Sequence, residues 1–161
     1  AKLGMDRPAV VIEPGRSIVA EAGLSLYTIG SIKDIRDIRK YVSIDGGMTD
    51  NIRPALYQAE YEGVVANKAD EPKTDKVTIC SKCCESGDIL IKDCLITETA
   101  KAGDLFAIFS TGAYGFSMAS NYNSNPVPAV VLVKDGKSEI IVKRQSYENM
   151  IFNQVIPELL K

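Results

Sequence analysis

The 161-residue sequence predicts a mainly β fold, an antiparallel sandwich or barrel, preceded by the end of some other unit. Three observations carry that expectation. About eight short runs are rich in branched, aromatic or alternating apolar residues. One pair of them, Val130 to Val133 and Glu139 to Lys143, flanks Asp135-Gly136, a dipeptide suited to a tight hairpin. Amphipathic helical spacing is clear only near the end, at Tyr147, Met150, Ile151, Val155 and Leu159, with Ser146 as the cap and Pro157 set to cut the helix short.

Taken in order, Ala9-Val10-Val11-Ile12 is a continuous apolar run and predicts a strand buried on both sides. Glu13-Pro14-Gly15-Arg16 follows, and Ser17 to Gly23 predicts a short helix capped by Ser17 and ended by Gly23. A glycine before a helix start can seat a phosphate, although plain strand-loop-helix corners are commoner. Leu24 to Ile32 reads as a strand. Isoleucines at 29, 32, 35 and 38 leave a helix through Lys33 to Lys40 open as an alternative. Tyr41 to Ile44 alternates as a strand and ends at Asp45-Gly46-Gly47, where paired glycines admit unusual backbone angles. Strands are further expected at Gln58 to Ala66, Lys76 to Cys80, Asp88 to Ile96 and Leu105 to Phe109. A short helix is expected within Thr111 to Ala119, and an irregular stretch from Ser120 to Pro128.

Composition narrows the function. Twenty-one acidic residues against 19 basic ones leave a net charge of −2, with no basic block to mark a nucleic-acid surface. No run of 18 apolar residues suggests a membrane span. The start does not read as a signal peptide and lacks a methionine, which suggests a fragment. Histidine is absent, which removes histidine-based triads and metal sites. The four cysteines, at 80, 83, 84 and 94, read as free thiols of a reducing cytoplasm. Cys80-x-x-Cys83 has zinc-ligand spacing but no second well-spaced pair, so no metal site is expected.

The stretch Asp45 to Tyr57 carries the chemistry. Arg53 and Tyr57 are four apart around Pro54, so a short helix would put a guanidinium fork and a phenol on one face, able to hold a small anion. A surface arginine beside a half-buried tyrosine is the bland reading of the same spacing. Tyr114, between small neighbours, reads by itself as a core aromatic.

Asp45-Gly46-Gly47-Met48, Arg53-Pro54-Ala55-Leu56-Tyr57, Glu13-Pro14-Gly15-Arg16, Cys84-Glu85-Ser86-Gly87-Asp88 and Gly112-Ala113-Tyr114-Gly115 together resemble, in order, motifs of the diaminopimelate decarboxylases. These are pyridoxal-phosphate enzymes of the alanine-racemase-like fold type, and the resemblance covers only their C-terminal part. It implies that residues 1–23 end an N-terminal α/β barrel, with the 9–12 run as its last strand, and that residues 24–161 form the C-terminal β-rich domain. It implies pyridoxal 5'-phosphate as cofactor, contacted by Glu13, Gly15, Arg16 and Tyr114. Arg16, Arg53, Tyr57 and Tyr114 would bind the substrate. Cys84 and Glu85 would reach the active site of a partner subunit in a homodimer, Glu85 near the distal ammonium and Cys84 as proton donor. Ser81 departs from the family's usual glycine and Cys83 is an extra neighbour. The cofactor lysine would lie upstream, so the chain alone is expected to be inactive; Lys2 and Lys33 are not placed to replace it. An ornithine- or arginine-type decarboxylase of the same fold, or a non-catalytic β domain for dimerisation, are the alternatives.

Overall fold

A computed structural model of the chain describes Gly4 and residues 6–160. Six strands form one sheet: β1 Ser25–Ile35, β2 Arg39–Ile44, β3 Gly63–Val65, β4 Asp75–Cys80, β5 Ile89–Ile96 and β6 Leu105–Ile108. Their order is β3-β6-β1-β2-β4-β5. Every pairing is antiparallel except β2 with β4. The outer strands β3 and β5 lie against each other, with the Cys94 Sγ 4.0 Å from the Gly63 carbonyl oxygen, so the sheet is a nearly closed barrel. Curling a sheet onto itself hides its two edges and encloses the apolar side of each strand.

That interior is built by the expected alternation. Tyr27 and Ile29 of β1, Val42 and Ile44 of β2, Val77 and Ile79 of β4, and Phe106 and Ile108 of β6 are all buried. Cys94 belongs to this core, and burial pushes its thiol up to about 11. Thr78, also fully buried, uses its hydroxyl to accept a hydrogen bond from the Arg39 guanidinium at 2.8 Å. The isoleucine spacing of three resolves as strand: Ile29 and Ile32 pair with β2, and only residues 36–38 turn.

Two short helices flank the site, α1 Arg16–Val19 and α2 Arg53–Tyr57. The cap of α1 is Gly15 rather than Ser17, which lies inside the helix. A 3-10 turn at Ala20–Ala22 follows, and Gly23 then leaves in extended geometry. Residues 9–12 form no strand, and Val10, Val11 and Ile12 are 81–84% exposed. A strand exists through hydrogen bonds to a neighbour, and among the described residues none lies beside this run. Of the expected strand from Gln58 to Ala66, only β3 forms, and the helix expected within Thr111 to Ala119 is a 3-10 turn at Phe116–Met118.

The hairpin prediction holds. β7 Val130–Lys134 and β8 Lys137–Val142 pair antiparallel, and Asp135 and Gly136 both sit at positive φ, 50° and 72°, as this tight turn requires. The last helix, α3 Tyr147–Ile151, carries the expected cap: Ser146 Oγ accepts from the Asn149 N–H at 3.2 Å, and Asn149 Oδ1 accepts from the Ser146 N–H. It ends before Val155 and Leu159, which stay exposed like much of the hairpin.

One ionic cluster ties β6 to the loop after β3. The buried Asp104 accepts from Lys68 Nζ at 2.7 Å, from Asn67 Nδ2 and from the Lys101 N–H. These bonds, that from Lys68 above all, hold its carboxyl down at about 2, below the ordinary 3.8. A depressed pKa stabilises the fold above the unfolded-state value and ceases to as pH falls through the folded one. Stability is therefore expected to fall between about pH 4 and pH 2. Urea denaturation at a series of pH values checks this, and Asp104→Asn removes that part of the acid dependence.

Candidate functional site

The strand β2 ends in Asp45-Gly46-Gly47, and the structure corrects the reason for the glycines. Neither has a positive φ. What they provide is room. A methyl on Gly46 would lie 2.2 Å from Tyr27 Cε1, and one on Gly47 would lie 2.2 Å from Ser81 Oγ and 2.5 Å from Asp88 Oδ1. Backbone turns back through this gap, with the Asp50 and Asn51 N–H groups both donating to the Gly47 carbonyl at 3.0 and 2.9 Å. Asp50 closes the turn from below, accepting from the Gly47 N–H and from Thr49 Oγ1 at 2.9 Å. Burial raises the pKa of Asp50. Burial first, and then the Asp50 charge, raise that of Tyr27.

The turn launches α2, with Pro54 in its first turn, where a missing N–H costs nothing. Arg53 and Tyr57 share a face as the spacing predicted: the Arg53 Cζ lies 5.1 Å from the Tyr57 ring centre. It also lies 5.4 Å from the ring of Tyr114, so the guanidinium is held between two aromatic rings. The Nε of Arg53 is buried and has no hydrogen-bond partner in the chain.

Arg16, at the start of α1, is built the same way. Its Cζ lies 5.4 Å from the ring of Tyr61, one terminal nitrogen donates to the Ser110 carbonyl at 3.3 Å, and its Nε is buried without a partner. Tyr61 was not among the sequence candidates; an aromatic four residues beyond Tyr57 was the available signal. Tyr114 lies against Arg53 and against Gly15, the residue before Arg16. A methyl on Gly15 would lie 2.4 Å from the Tyr114 hydroxyl, so only glycine admits the phenol there. Tyr114 is not the core aromatic of the bland reading: it is half-exposed and sits at φ 63°. Such a conformation in a bulky residue is strained and persists only where its surroundings hold it. Here Gly112 holds it: its N–H donates to the Ala20 carbonyl at 2.9 Å, and the Thr111 N–H donates to Gly23 at 3.0 Å.

Gly15, Arg16, Arg53, Tyr57 and Tyr114 are thus one continuous cluster. Two guanidinium groups lie among phenols with buried N–H donors unused, and such donors suit a carboxylate or a phosphate. Glu13 lies beside this cluster in the chain and is exposed.

Cys84 and Glu85 lie elsewhere, on the loop between β4 and β5. This loop packs behind α2: a methyl on Gly87 would lie 3.7 Å from Ala55 Cβ. Ala55 is two residues from Arg53, about 200° around the helix axis, so Gly87 touches α2 away from the position of Arg53. Cys84 is exposed, and Glu85 Oε2 accepts from the Tyr122 hydroxyl at 3.3 Å. Cys83 is half-buried. Burial, and then the charge of Asp88, push its thiol up to about 11. Cys80 donates to the Val42 carbonyl at 3.7 Å, and Cys94 lies in the core opposite Val77.

Sequence reasoning passed over Asp88 as more than a motif residue. It is 3% exposed. One oxygen accepts from the Met48 N–H and the other from the Cys83 N–H, both at 2.8 Å. A single carboxylate therefore fastens the glycine turn that launches Arg53 to the loop that carries Cys84 and Glu85. The signal was its place at the end of the Cys84-Glu85-Ser86-Gly87-Asp88 run; its two acceptors become meaningful only once both loops are seen together.

A nearly closed sheet with arginines and tyrosines gathered beside it is the architecture of a β domain that carries donors for an anion. A family model described as the C-terminal sheet domain of pyridoxal-dependent decarboxylases matches residues 12–112, and the chain belongs to that family. It is 54% identical over 151 residues to a diaminopimelate decarboxylase of Bacillus subtilis (strain 168), covering 94% of this chain and 34% of that protein. It is 56% identical over 151 residues to one of Staphylococcus aureus (strain COL), covering 94% of this chain and 36% of that protein. Among solved structures, the diaminopimelate decarboxylase of M. jannaschii in co-complex with L-lysine superposes with a TM-score of 0.86 at 36% identity, covering 99% of this chain and 36% of that one. The chain spans about a third of the length of the curated relatives it matches.

Proposed function

We propose that the chain is the C-terminal part of a cytoplasmic pyridoxal-phosphate decarboxylase that converts meso-diaminopimelate to L-lysine and carbon dioxide. The observation that carries this reading is the Arg53 guanidinium held between Tyr57 and Tyr114 with its Nε–H buried and unused. A carboxylate entering there would meet a planar fork of donors oriented by two rings. Arg16 is the second such group. A substrate lacking a distal carboxylate would leave the buried Nε–H groups unpaired, which is how the site would reject simple diamine precursors. The similarity to diaminopimelate decarboxylases, at 54–56% identity, favours this substrate over ornithine or arginine.

The residues fit the cofactor. Gly15 and Tyr114 form a close-packed pair beside Arg16, and with Glu13 they would hold its phosphate and ring. When bound, pyridoxal phosphate supplies an electron sink for the bond broken as carbon dioxide leaves. Glu85 would pair with the distal ammonium. Cys84, exposed, would deliver a proton to the carbon that lost the carboxylate. Cys83 is the poorer donor, since it is half-buried and its thiol is held well above the usual range. Cys84 and Glu85 are exposed, and by the family resemblance they would complete the site of a second chain in a homodimer. Residues 1–23 would close an N-terminal barrel, and residues 24–161 would be the C-terminal domain. The exposed runs at residues 10–12 and on the β7–β8 hairpin are apolar surface suited to such cover.

The test is carbon dioxide release by the full-length protein loaded with cofactor, offered meso-diaminopimelate, ornithine and arginine side by side. Release from diaminopimelate alone, strongly reduced in Glu85→Ala, is expected. Release from ornithine or arginine instead overturns the substrate assignment. The isolated chain is expected to release none.

A further inference from the structure

The turn at residues 120–125 falls in the Asn- and Ser-rich stretch that the sequence left irregular, yet it is firmly built. Asn121 Nδ2 donates to Gln145 Oε1 at 2.6 Å and to the Asn125 carbonyl at 2.8 Å. The same Gln145 oxygen accepts from the Val127 N–H at 3.0 Å, and the Gln145 N–H returns to the Val127 carbonyl. Asn123 and Ser124 sit at φ 53° and 56°, conformations that a loose connection would relax. The Ser120 N–H donates to the Thr49 carbonyl at 2.8 Å, which joins the turn to the segment before α2. From this frame two side chains reach the cysteine loop: Asn125 Nδ2 donates to Cys83 Sγ at 3.7 Å, and the Tyr122 hydroxyl donates to Glu85 Oε2 at 3.3 Å.

We infer that Tyr122 is a positioning residue that orients the Glu85 carboxylate toward the distal ammonium of the substrate. This rests on the role proposed for Glu85. An exposed glutamate samples many rotamers, and fixing one on binding costs affinity. A carboxylate accepts through two oxygens, so a phenol on Oε2 leaves Oε1 for the ammonium. The phenol stays a donor throughout the neutral range, because its bond to Glu85 and the Glu85 charge raise its pKa. Asn125, by engaging Cys83, keeps the neighbouring residue of the loop in place.

The test is a double-mutant cycle in the full-length enzyme with diaminopimelate as substrate. Tyr122→Phe is expected to raise KM about tenfold with kcat nearly unchanged, the loss of one hydrogen bond to a charged group. In a Glu85→Gln background the same change is expected to add little, since Tyr122 acts through Glu85. A KM within twofold of wild type, or an equal loss in the Glu85→Gln background, overturns the inference. A second readout needs no turnover. In full-length protein labelled with 13Cζ-tyrosine, the Tyr122 resonance is expected to titrate at lower pH in Glu85→Gln than in wild type, and an unchanged midpoint overturns the contact. A wild-type enzyme that ignores diaminopimelate, yet whose Tyr122 titration moves in Glu85→Gln, would sink the functional reading and leave the contact standing.

Discussion

Arg53→Ala in the full-length enzyme is expected to lower kcat/KM for diaminopimelate by about two to three orders of magnitude. That corresponds to about 3–4 kcal/mol, the loss of a two-pronged charge-assisted hydrogen bond to the substrate carboxylate. The size follows from the setting. Tyr57 and Tyr114 lie 5.1 and 5.4 Å from the guanidinium carbon, and these ring contacts orient the fork that a carboxylate would meet. Arg53→Lys keeps the charge but loses the planar fork and the stacking, and should recover only part of the activity. The discriminating measurement compares diaminopimelate with an amino acid lacking the distal carboxylate, such as lysine. Arg53→Ala should penalise diaminopimelate far more. Equal losses on both would mean that Arg53 supports the fold rather than the substrate.

Asp88→Ala is expected to destabilise the domain by about 3 kcal/mol, read from urea denaturation. The carboxylate is buried, and its loss strands the Met48 and Cys83 N–H groups, each of which has it as acceptor at 2.8 Å. The Gly47–Ser81 contact packs beside it, so water cannot enter freely as a substitute. Asp88→Asn keeps the shape but retains only one strong acceptor, and should fall between wild type and Asp88→Ala. A change below about 0.5 kcal/mol for Asp88→Ala, the range of ordinary surface substitutions, would show that the two loops hold without it.

Local chemistry explains which parts were readable in advance. The Asp135-Gly136 hairpin, the Ser146 cap and the shared face of Arg53 and Tyr57 each depend on residues within a few positions of one another. Backbone sterics and helical spacing decide such features whatever surrounds them. The same holds for the strand count, since alternation records which side of each strand is to be buried. The Ala9–Ile12 run failed as a strand for the opposite reason: strand geometry is completed by a neighbour. The last helix stops at Ile151 although the apolar spacing continues to Leu159. Short helices in water need a surface to bury against, and Val155 and Leu159 are exposed.

By itself the sequence determined the β-rich class, the hairpin, the helix pairing Arg53 with Tyr57 and the family resemblance that the comparisons upheld. The tertiary structure alone decided that the glycines of the 45–47 turn serve close approach rather than unusual angles. It alone set Tyr114 against Gly15 and Arg53, made Asp88 the fastening between two loops, and put Tyr122 on Glu85. The physical reason is separation along the chain. The contacts of Tyr114 with Gly15 and Arg53, of Asp88 with Met48 and of Tyr122 with Glu85 join residues 37 to 99 positions apart, and contacts of that kind exist only after the sheet has curled and brought its loops together.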